Sequence, residues 1–392
     1  MYRMIRKNIY SVGVIDWHRK LFDELIPLPD GTSYNAYIIE GEDETVLIDT
    51  VEPDFKDDLL NNLDELGIDR IDYIVSNHAE QDHSGSIPYI LEEYPEAVVL
   101  SSKKAKSMLL DLLDIDKEKI KIVEDGETLD LGGKTLEFID TPWVHWPETI
   151  STYLQEEEIL FSCDFFGSHL ATSDLYVEDE AEVYKAAKRY YAEIMMPFRM
   201  IIKKNMAKLE DYNISMIAPS HGPIYQNPDL IIDAYKDWIN DKVKPEVVVP
   251  FVSMHGSTDD LVNYFVERLI EEDIKVKPFN LTDVDLGDLA ISLVDASTIV
   301  IGSPTVLTGP HPAAVYAAYL ANILKPKTKY ASIIGSYGWA GRMTDKLLDL
   351  MPNLKVELYE PVIAKGHGDK EDYKEIDRLV EEIKEDMKNL NK

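Results

Sequence analysis

The hydrophobic residues of the chain fall into short runs whose spacing predicts the secondary structure. The apolar segments 37–39 and 45–49 are separated by a polar turn, a pattern that is typical of a β-hairpin. Residues 54–66 have helical periodicity, and the apolar run at residues 71–76 predicts a strand. Several short strands with turn residues between them follow, and helical periodicity returns between residues 180 and 210. This part of the chain therefore mixes strands and helices, and it contains no internal repeat.

The pattern changes near residue 245, where strand-like runs begin to alternate regularly with helix-like segments. The apolar runs lie at residues 247–249, 274–276, 299–301, 332–334 and 356–358. Alternation of this kind indicates a doubly wound parallel sheet with crossover helices. We therefore predict two α/β domains, one covering residues 1–245 and the other covering residues 246–392.

Composition limits the classes of partner and the compartment. The 392 residues include 40 Lys and Arg against 73 Asp and Glu, so the formal charge is −33 and most of the surface would repel nucleic acid. No run of eighteen apolar residues occurs, and the first residues lack the apolar core of a signal peptide, so we expect a cytoplasmic protein that does not span a membrane. The single cysteine, Cys163, excludes an intrachain disulfide and an iron centre held by four cysteines of this chain.

A dense cluster of potential metal ligands follows the strand predicted at residues 71–76. His78, Glu80, Asp82 and His83 place two imidazoles and two carboxylates within six residues. These four groups cannot all lie on one face of a helix, whereas an irregular loop can wrap them around a pair of metal ions. We interpret the segment as a two-metal site on a loop at the end of a strand.

Three more candidate ligands occupy similar positions, at strand ends or in loops. They are His145, Asp164 and His221. One such residue alone would more often be structural or solvated, but the repetition of one context within one domain favours a shared metal site. His169, five residues after Asp164, is more simply interpreted as structural.

Together these residues resemble the metallo-β-lactamase superfamily, whose αββα sandwich carries a His-x-His-x-Asp-His motif, then a distant His, a bridging Asp and a final His. Glu80 departs from that motif, because it replaces the second histidine. An added carboxylate makes the site harder and more anionic, which suits iron better than zinc. The pattern with Glu80 resembles the flavodiiron protein family over essentially the whole chain. That resemblance implies a metallo-β-lactamase-like αββα sandwich followed by a flavodoxin-like doubly wound parallel sheet.

The resemblance also implies a role for each candidate ligand. One iron would be bound by His78, Glu80 and His145, and the other by Asp82 and His221, with Asp164 bridging the pair. His83 is left open, because in the family this position either ligates the second iron or turns away from it. A zinc hydrolase with an unusual substitution remains the alternative at this point.

Three segments at the ends of predicted strands point to a flavin site in the second domain. They are residues 253–258, 302–306 and 335–341, which we expect to be loops that converge at the carboxyl edge of the sheet. Hydroxyl groups at a helix N-terminus suit a phosphate monoester, and Tyr337 and Trp339 can offer aromatic faces to a flat ring. The arrangement resembles flavodoxin and implies FMN, although His255 departs from the small hydroxyl residue usual in the phosphate loop. The predicted FMN-binding residues are Ser253, Met254, His255, Gly256, Ser257, Thr258, Ser303, Pro304, Thr305, Val306, Ser336, Tyr337, Gly338, Trp339, Ala340 and Gly341.

The resemblance implies an oxidoreductase in which electrons pass through FMN to a diiron site. We expect an oxidase that reduces O2 to water, with reduced coenzyme F420 as the donor. A rubredoxin-linked oxygen or nitric oxide reductase is the alternative within the family. Family members associate head to tail, so a homodimer or homotetramer is expected. Outside the family, a zinc hydrolase and a non-catalytic flavodoxin-like electron carrier remain open.

Overall fold

The structure is a computed structural model that describes residues 1–22, 25–339 and 341–390. It divides the chain into two compact units: the first contains Met1–Tyr190 and Phe198–Ile239, and the second contains Tyr191–Pro197 and Asn240–Lys392. These units reflect how the chain packs, and the domain boundary near residue 245 stays a prediction. No helix among the described residues is long and apolar enough to cross a membrane.

The first unit consists of short strands and short helices. Its strands are β1 (Arg3–Arg6), β2 (Ile9–Ser11), β3 (Val14–Asp16), β4 (Leu21–Phe22), β5 (Ile26–Pro27), β6 (Thr32–Tyr34), β7 (Tyr37–Glu40), β8 (Thr45–Ile48), β9 (Tyr73–Val75), β10 (Val98–Ser101), β11 (Ile120–Ile122), β12 (Thr128–Asp130), β13 (Thr135–Asp140), β14 (Ile150–Leu154), β15 (Ile159–Cys163) and β16 (Met216–Pro219). Its helices are α1 (Lys56–Leu66), α2 (Gln81–Ser84), α3 (Ile87–Glu93), α4 (Lys103–Leu112), α5 (Glu180–Tyr190), α6 (Arg199–Leu209) and α7 (Asp229–Ile239). Single 3-10 turns occur at Pro53–Phe55 and Lys117–Lys119. Between α5 and α6 the chain forms a π-helix at Tyr191–Met195 and a 3-10 turn at Met196–Phe198.

Two packed sheets form the centre of the first unit. One has the strand order β1-β2-β7-β8-β9-β10-β11, and the other has the order β12-β13-β14-β15-β16. Because successive residues of a strand point to opposite faces, Ile39 and Val75 of the first sheet share a core with Phe138 and Phe161 of the second. The other face of the first sheet carries a second core, which it shares with α1, α3 and α4. Helices α5, α6 and α7 pack together. This layering confirms the metallo-β-lactamase-like sandwich predicted from the sequence.

The hairpin predicted at residues 37–49 is present as β7 and β8. Tyr37 lies opposite Ile48, and Glu40 lies opposite Thr45, in an antiparallel pair. Sequence patterning did not predict the short strands before β7, since runs of two to four residues carry too little periodicity. The predicted strand at residues 71–76 is shorter in the structure, where β9 covers only three residues.

The second unit alternates strands and helices. Its strands are β17 (Lys244–Phe251), β18 (Lys275–Asn280), β19 (Ala296–Val306), β20 (Gly309–Pro310), β21 (Tyr330–Tyr337), β22 (Glu357–Leu358) and β23 (Val362–Lys365). Its helices are α8 (Ser257–Glu271), α9 (Leu286–Leu293), α10 (Pro312–Leu324), α11 (Met343–Asp349) and α12 (Lys370–Leu390).

A parallel sheet runs through the second unit in the order β18-β17-β19-β21-β22. Strand β23 also pairs with β21, so the fifth position of the sheet is shared by two short strands. Val249 packs on one face with residues of α8 and α12, and Val248 packs on the other with residues of α9 and α10. Burial on both faces explains why these strands are continuous apolar runs in the sequence. The order is that of flavodoxin-like sheets, which confirms the predicted doubly wound fold.

Candidate functional site

The seven predicted metal ligands all follow strands of the first unit. His78 and Glu80 come after β9, Asp82 and His83 lie on α2, His145 lies between β13 and β14, Asp164 directly follows β15, and His221 follows β16. Six of them are buried, and His145 is partly buried. The ends of these strands therefore place the seven side chains close together in the interior of the first unit.

The segment after β9 is more regular than the irregular loop that we predicted. The carbonyl of Glu80 accepts hydrogen bonds from the backbone N–H groups of His83 and Ser84, at 3.0 and 2.9 Å. Residues Gln81–Ser84 consequently form one helical turn, α2, with Glu80 as its N-cap. One turn still cannot place all four ligands on one face, so the cluster spans a loop and the helical turn that follows it.

A first group of donor atoms contains His78, Glu80, His145 and Asp164. The Nε2 atoms of His78 and His145 lie 3.0 and 3.1 Å from Oε2 of Glu80. The same two nitrogen atoms lie 3.4 and 3.5 Å from Oδ2 of Asp164. All four residues can thus offer one ligand atom to a single metal ion.

A second group contains Asp82, His83 and His221, and it faces the other oxygen of Asp164. The Nε2 atoms of His83 and His221 lie 3.3 and 3.4 Å from Oδ2 of Asp82. They lie 3.0 and 3.3 Å from Oδ1 of Asp164. Asp164 therefore presents one oxygen to each group, which is the geometry that a bridging carboxylate needs. His83, whose role the sequence left open, lies within the second group.

The chemistry of these donor atoms fits two cations. Both carboxylate oxygens of Asp82 and of Asp164, and Nε2 of His83 and His145, are buried and make no well-aligned hydrogen bond, although several of them lie close to one another. Such atoms are costly to bury unless something satisfies them. Among the described residues, the ion-pair contacts of Glu80, Asp82 and Asp164 are all with histidines of the site. A mixed nitrogen and carboxylate set of this kind suits iron.

The negative charge of the site is visible in the pKa values of its histidines. Burial alone would lower the pKa of His145 and of His221, but the carboxylates beside them, Asp164 foremost, raise these values to about 9 and about 10. Burial alone would raise the pKa of Asp164, yet the neighbouring imidazoles, led by His83, hold it well below its ordinary value. The pocket therefore favours positive charge at its centre, whether that charge is carried by protons or by metal ions.

The three predicted flavin segments lie at the carboxyl edge of the parallel sheet in the second unit. Residues 253–256 lie between β17 and α8, whereas Ser257 and Thr258 already belong to α8. Residues 335–337 are the end of β21, so this part of the third segment is a strand and not the loop that we predicted, and residues 338–339 form a bend after it. The segment at residues 302–306 is not the loop that we predicted, because it forms the last part of β19. Ser303 pairs with Gly335 of β21, and Thr305 pairs with Pro310 of β20, so backbone pairing on both sides extends the strand.

Side-chain hydroxyl groups bring the first and third flavin segments together. Oγ of Ser336 lies 3.0 Å from Oγ1 of Thr258 and 3.3 Å from Oγ of Ser257. Gly256, at φ +90°, is the N-cap of the 15-residue helix α8 and has no side chain to cap it. Hydroxyl groups next to an uncapped helix N-terminus form a suitable environment for a phosphate group.

The second and third segments approach too closely for larger residues. A Cβ atom added to Gly341 would lie 2.8 Å from the side chain of Thr305, and one added to Gly335 would lie 2.6 Å from the carbonyl oxygen of Ser303. Trp339, in contrast, is 76% exposed and available to a flat ring. Met254 and His255 are also exposed, and Ala340 lies outside the described residues.

Comparison with known proteins identifies the family. Residues 32–222 match a family described as ODP family beta lactamase. A nitric oxide reductase from Moorella thermoacetica is 35% identical over 363 residues, which cover 90% of each chain. A coenzyme F420H2 oxidase from Methanothermobacter marburgensis is 32% identical over 363 residues, which cover 89% of each chain. The chain belongs to the flavodiiron protein family.

A solved structure agrees with this assignment over the whole chain. Rubredoxin oxygen:oxidoreductase from Desulfovibrio gigas is 28% identical and superposes with a TM-score of 0.95, covering 100% of this chain and 99% of that one. Flavodiiron proteins are oxidoreductases that carry FMN and a diiron centre, so the predicted cofactors are confirmed. The donor groups around Asp164 fit two irons, and the hydroxyl groups around Ser336 fit the phosphate of FMN.

Residues that the sequence did not point to hold the predicted ligands of this flavodiiron protein in place. Oε1 of Glu148 accepts a hydrogen bond from Nδ1–H of His78 at 2.7 Å. The backbone carbonyl of Ser33 accepts one from Nδ1–H of His221, also at 2.7 Å. These partners are 70 and 188 residues away from the histidines in the chain. No local pattern in the sequence could therefore have revealed them.

Asp49 holds the residue that precedes the predicted ligand His78. It lies directly after β8 and accepts hydrogen bonds from the backbone N–H and the side-chain amide of Asn77, at 2.8 and 2.9 Å. Asn77 immediately precedes the predicted ligand His78, so Asp49 fixes the start of the cluster of predicted ligands. The only sequence signal was its position at the end of an apolar run.

His169 lies beside the second ligand group without joining it. Its Nδ1 atom is 2.9 Å from Oγ1 of Thr32, and its ring centre is 4.7 Å from that of His221. Burial lowers the pKa of His169 well below its ordinary value, which keeps the ring neutral. The placement agrees with the structural interpretation that the sequence suggested.

Proposed function

We propose that this flavodiiron protein is a water-forming oxidase that takes electrons from reduced coenzyme F420 and passes them through FMN to O2 at the diiron site. The observation that carries the proposal is the pair of buried donor groups that share Asp164. A carboxylate that faces both groups can hold two irons close enough to act on one diatomic molecule. The relative named coenzyme F420H2 oxidase supports the choice of donor.

The proposal assigns ligands to each iron. His78, Glu80 and His145 would bind one iron, Asp82, His83 and His221 would bind the other, and Asp164 would bridge them. Inclusion of His83 is supported by the 3.0 Å distance between its Nε2 atom and Oδ1 of Asp164 and by the burial of the side chain. Segments 253–258, 303–306 and 336–341 would hold FMN.

The residues of the site control the charge and the surroundings of the gas. Glu80 and Asp82 each add a negative charge, which favours the oxidised state of the metal. The burial of six of the seven ligands keeps bulk water away from the reacting gas. When bound, the two irons supply two electrons and reduced FMN supplies two more, which matches the reduction of O2 with four protons to two waters. Because each F420H2 donates a hydride, two donor molecules are consumed for each O2.

A rubredoxin-linked oxygen or nitric oxide reductase is the second candidate function. The nitric oxide reductase of Moorella thermoacetica is 35% identical to this chain, and the name of the Desulfovibrio gigas relative specifies rubredoxin and oxygen. Reduction of two NO with two electrons and two protons gives N2O and water, and the same ligand set would serve. Membership of the family disfavours a zinc hydrolase, and metal analysis that finds zinc without iron would restore that alternative.

The proposal includes a head-to-tail homodimer or homotetramer. In such an assembly the flavin of one subunit lies against the diiron site of another, so turnover depends on association. Activity measured over a dilution series should fall as the protein dissociates. Full multiple-turnover activity in a true monomer would contradict this part of the proposal.

The function is tested by anaerobic mixing of the oxidised holoprotein with reduced F420 while the flavin absorbance is followed. NADH and reduced rubredoxin are run as parallel donors, and O2 or NO is then added. Rapid bleaching by reduced F420 and recovery of the colour by O2 are expected. Bleaching by rubredoxin alone would overturn the choice of donor, and recovery by NO but not by O2 would establish the second candidate.

A further inference from the structure

The loop between β13 and β14 contacts the diiron site twice, and only one of these contacts comes from a predicted ligand. His145 is in this loop, and Glu148 follows three residues later. The loop is closed by hydrogen bonds from the N–H of Trp143 to the carbonyl of Trp146 at 2.6 Å and from Oγ1 of Thr149 to the same carbonyl at 3.1 Å. The position of Glu148 is therefore fixed by the loop that positions His145.

Glu148 is a buried carboxylate, only 3% exposed, and it directs its charge at His78. Its Oε1 atom accepts hydrogen bonds from Nδ1–H of His78 at 2.7 Å and from the backbone N–H of Ala79 at 3.0 Å. Its Oε2 atom is buried without a hydrogen-bond partner. Oγ of Ser102 donates to the backbone carbonyl of Glu148 at 2.8 Å, which holds the residue from the other side. The indole of Trp146 packs edge-on against the ring of His78, with 4.9 Å between the ring centres.

The proton position on His78 follows from these contacts. A carboxylate accepts the hydrogen bond, so Nδ1 carries the proton and Nε2 keeps its lone pair. Nε2 is the atom that faces Glu80 and Asp164 in the first donor group. Carboxylates that accept the second ring N–H of a metal-bound histidine fix its orientation and raise its basicity.

The second donor group lacks such a carboxylate on His221. Nδ1–H of His221 is bound by the backbone carbonyl of Ser33, which is neutral. His78 and His221 thus differ by one negative charge in direct contact with Nδ1. Because Glu148 contacts His78, we expect it to influence metal binding in the first donor group and not in the second.

We propose that Glu148 is a positioning residue that holds Nε2 of His78 toward the first iron. With Glu148 in place, the protein retains the first iron more tightly than it does without it, whereas retention of the second iron does not depend on Glu148. The proposal rests on the proposed function, because it requires that His78 is an iron ligand. It concerns how the metal is retained, and it is independent of which gas or donor the protein uses.

The test measures how fast a chelator removes Fe(II) from the anaerobic, reduced holoprotein. The variants are Glu148→Ala, Glu148→Gln and His78→Ala, and the last one identifies the release phase of the first iron because it removes the ligand itself. Glu246→Gln is the matched control: Glu246 is also 3% exposed, but it lies in β17 of the second unit and pairs with Lys275 and Lys277. This control should release both irons at the rate of the unaltered protein.

Glu148→Ala is expected to speed release of one iron about 10- to 100-fold and to leave the other within about twofold. Glu148→Gln keeps an oxygen that can accept from Nδ1–H but loses the charge, so it should give about a tenfold increase, the lower end of that range. If the alanine variant does not fold, the glutamine variant alone decides. Unchanged release in both variants, or equal acceleration of both irons, would overturn the proposal.

The outcome is separable from a failure of the proposed function. Iron release requires neither a gas nor an electron donor, so it can be scored in a protein that turns over neither O2 nor NO. A holoprotein that retains both irons normally but reduces no gas would count against the proposed function alone.

Discussion

The first unit, here the metal-binding unit, and the second, here the flavin unit, build their predicted sites in opposite ways. The predicted metal site consists of side chains that converge inside the first unit, and both oxygens of Asp164 are buried there. The flavin segments lie at the open edge of a sheet, where Trp339 is 76% exposed and close backbone approaches are made by Gly335 and Gly341. The predicted metal site therefore depends on the identity of a few side chains. The predicted flavin site depends on glycines that leave room for neighbouring segments to approach closely.

The largest expected effect is that of removing the carboxylate shared by the two donor groups. Asp164→Ala should lower gas reduction at least about 100-fold, because the substitution removes one ligand atom from each iron. FMN content should stay at one per chain, since Asp164 lies in the other unit. Iron and flavin analysis with steady-state gas uptake checks this, and Glu246→Gln is the control for loss of a buried carboxylate. Loss of FMN together with iron would show that the two sites are not built independently.

In the flavin unit, the corresponding disruption comes from adding a methyl group to the backbone. Gly335→Ala should destabilise the protein by about 1–3 kcal/mol and weaken FMN binding, because the new Cβ would lie 2.6 Å from the carbonyl of Ser303. Gly338→Ala is the matched control, since a Cβ at Gly338 meets nothing within 4 Å. Denaturant unfolding and FMN titration measure both effects. Equal stability of the two variants would contradict the close approach of β19 and β21.

The metal-free protein should lose stability as the pH rises. The pKa values of His145 and His221 are raised to about 9 and about 10, above their ordinary value, so their protonated forms stabilise the folded metal-free state. This stabilisation is fully present below about pH 6.5 and is lost as the pH rises through 9 and 10. The Tm of the chelated protein should fall over that range by more than the Tm of the iron-loaded protein. If Tm falls equally with pH in the chelated and the iron-loaded protein, these imidazoles bind no more protons in the folded metal-free state than in the unfolded state, which would contradict the prediction.

The smallest effect is expected at the exposed edge of the flavin unit. Trp339→Ala should change the free energy of unfolding by less than about 0.5 kcal/mol, because most of the side chain is already in water. FMN affinity should fall by no more than about tenfold, which corresponds to the loss of one aromatic contact. Trp238→Ala is the contrast, since Trp238 is fully buried in the first unit and its removal should cost about 3–5 kcal/mol. A large loss of stability in the Trp339 variant would contradict its exposed position.

The candidate ligands of the metal site could be singled out from the sequence because their residue types are chemically specific. His78, Glu80, Asp82 and His83 lie within one short segment, and the structure brings this segment to Asp164. The partners of those ligands could not be predicted in the same way. Glu148 contacts His78 across 70 residues of chain, and that contact depends on how the two sheets stack. A single glutamate in a loop carries no sign of such a contact in the sequence.

The flavin segments stay a prediction, and the structure shows that parts of them are strand or helix where the sequence predicted loops. Ser303 to Val306 read as a loop because Gly302 and Pro304 usually interrupt strands. In the structure they continue β19, since pairing with β21 and with the hairpin strand β20 outweighs the local preference. A Cβ at Gly302 would lie 2.5 Å from Cβ of Phe251, so this glycine marks a close approach of side chain to backbone within the sheet. Such pairing is a tertiary effect, and a single sequence does not contain it.

We propose that one buried pocket holds two irons with Asp164 between them. Anomalous diffraction at the iron edge from crystals of the iron-loaded protein would locate both ions. Two peaks about 3.5–4 Å apart are predicted, one beside His78, Glu80 and His145 and the other beside Asp82, His83 and His221. A single peak, or a signal at the zinc edge with none at the iron edge, would contradict the claim.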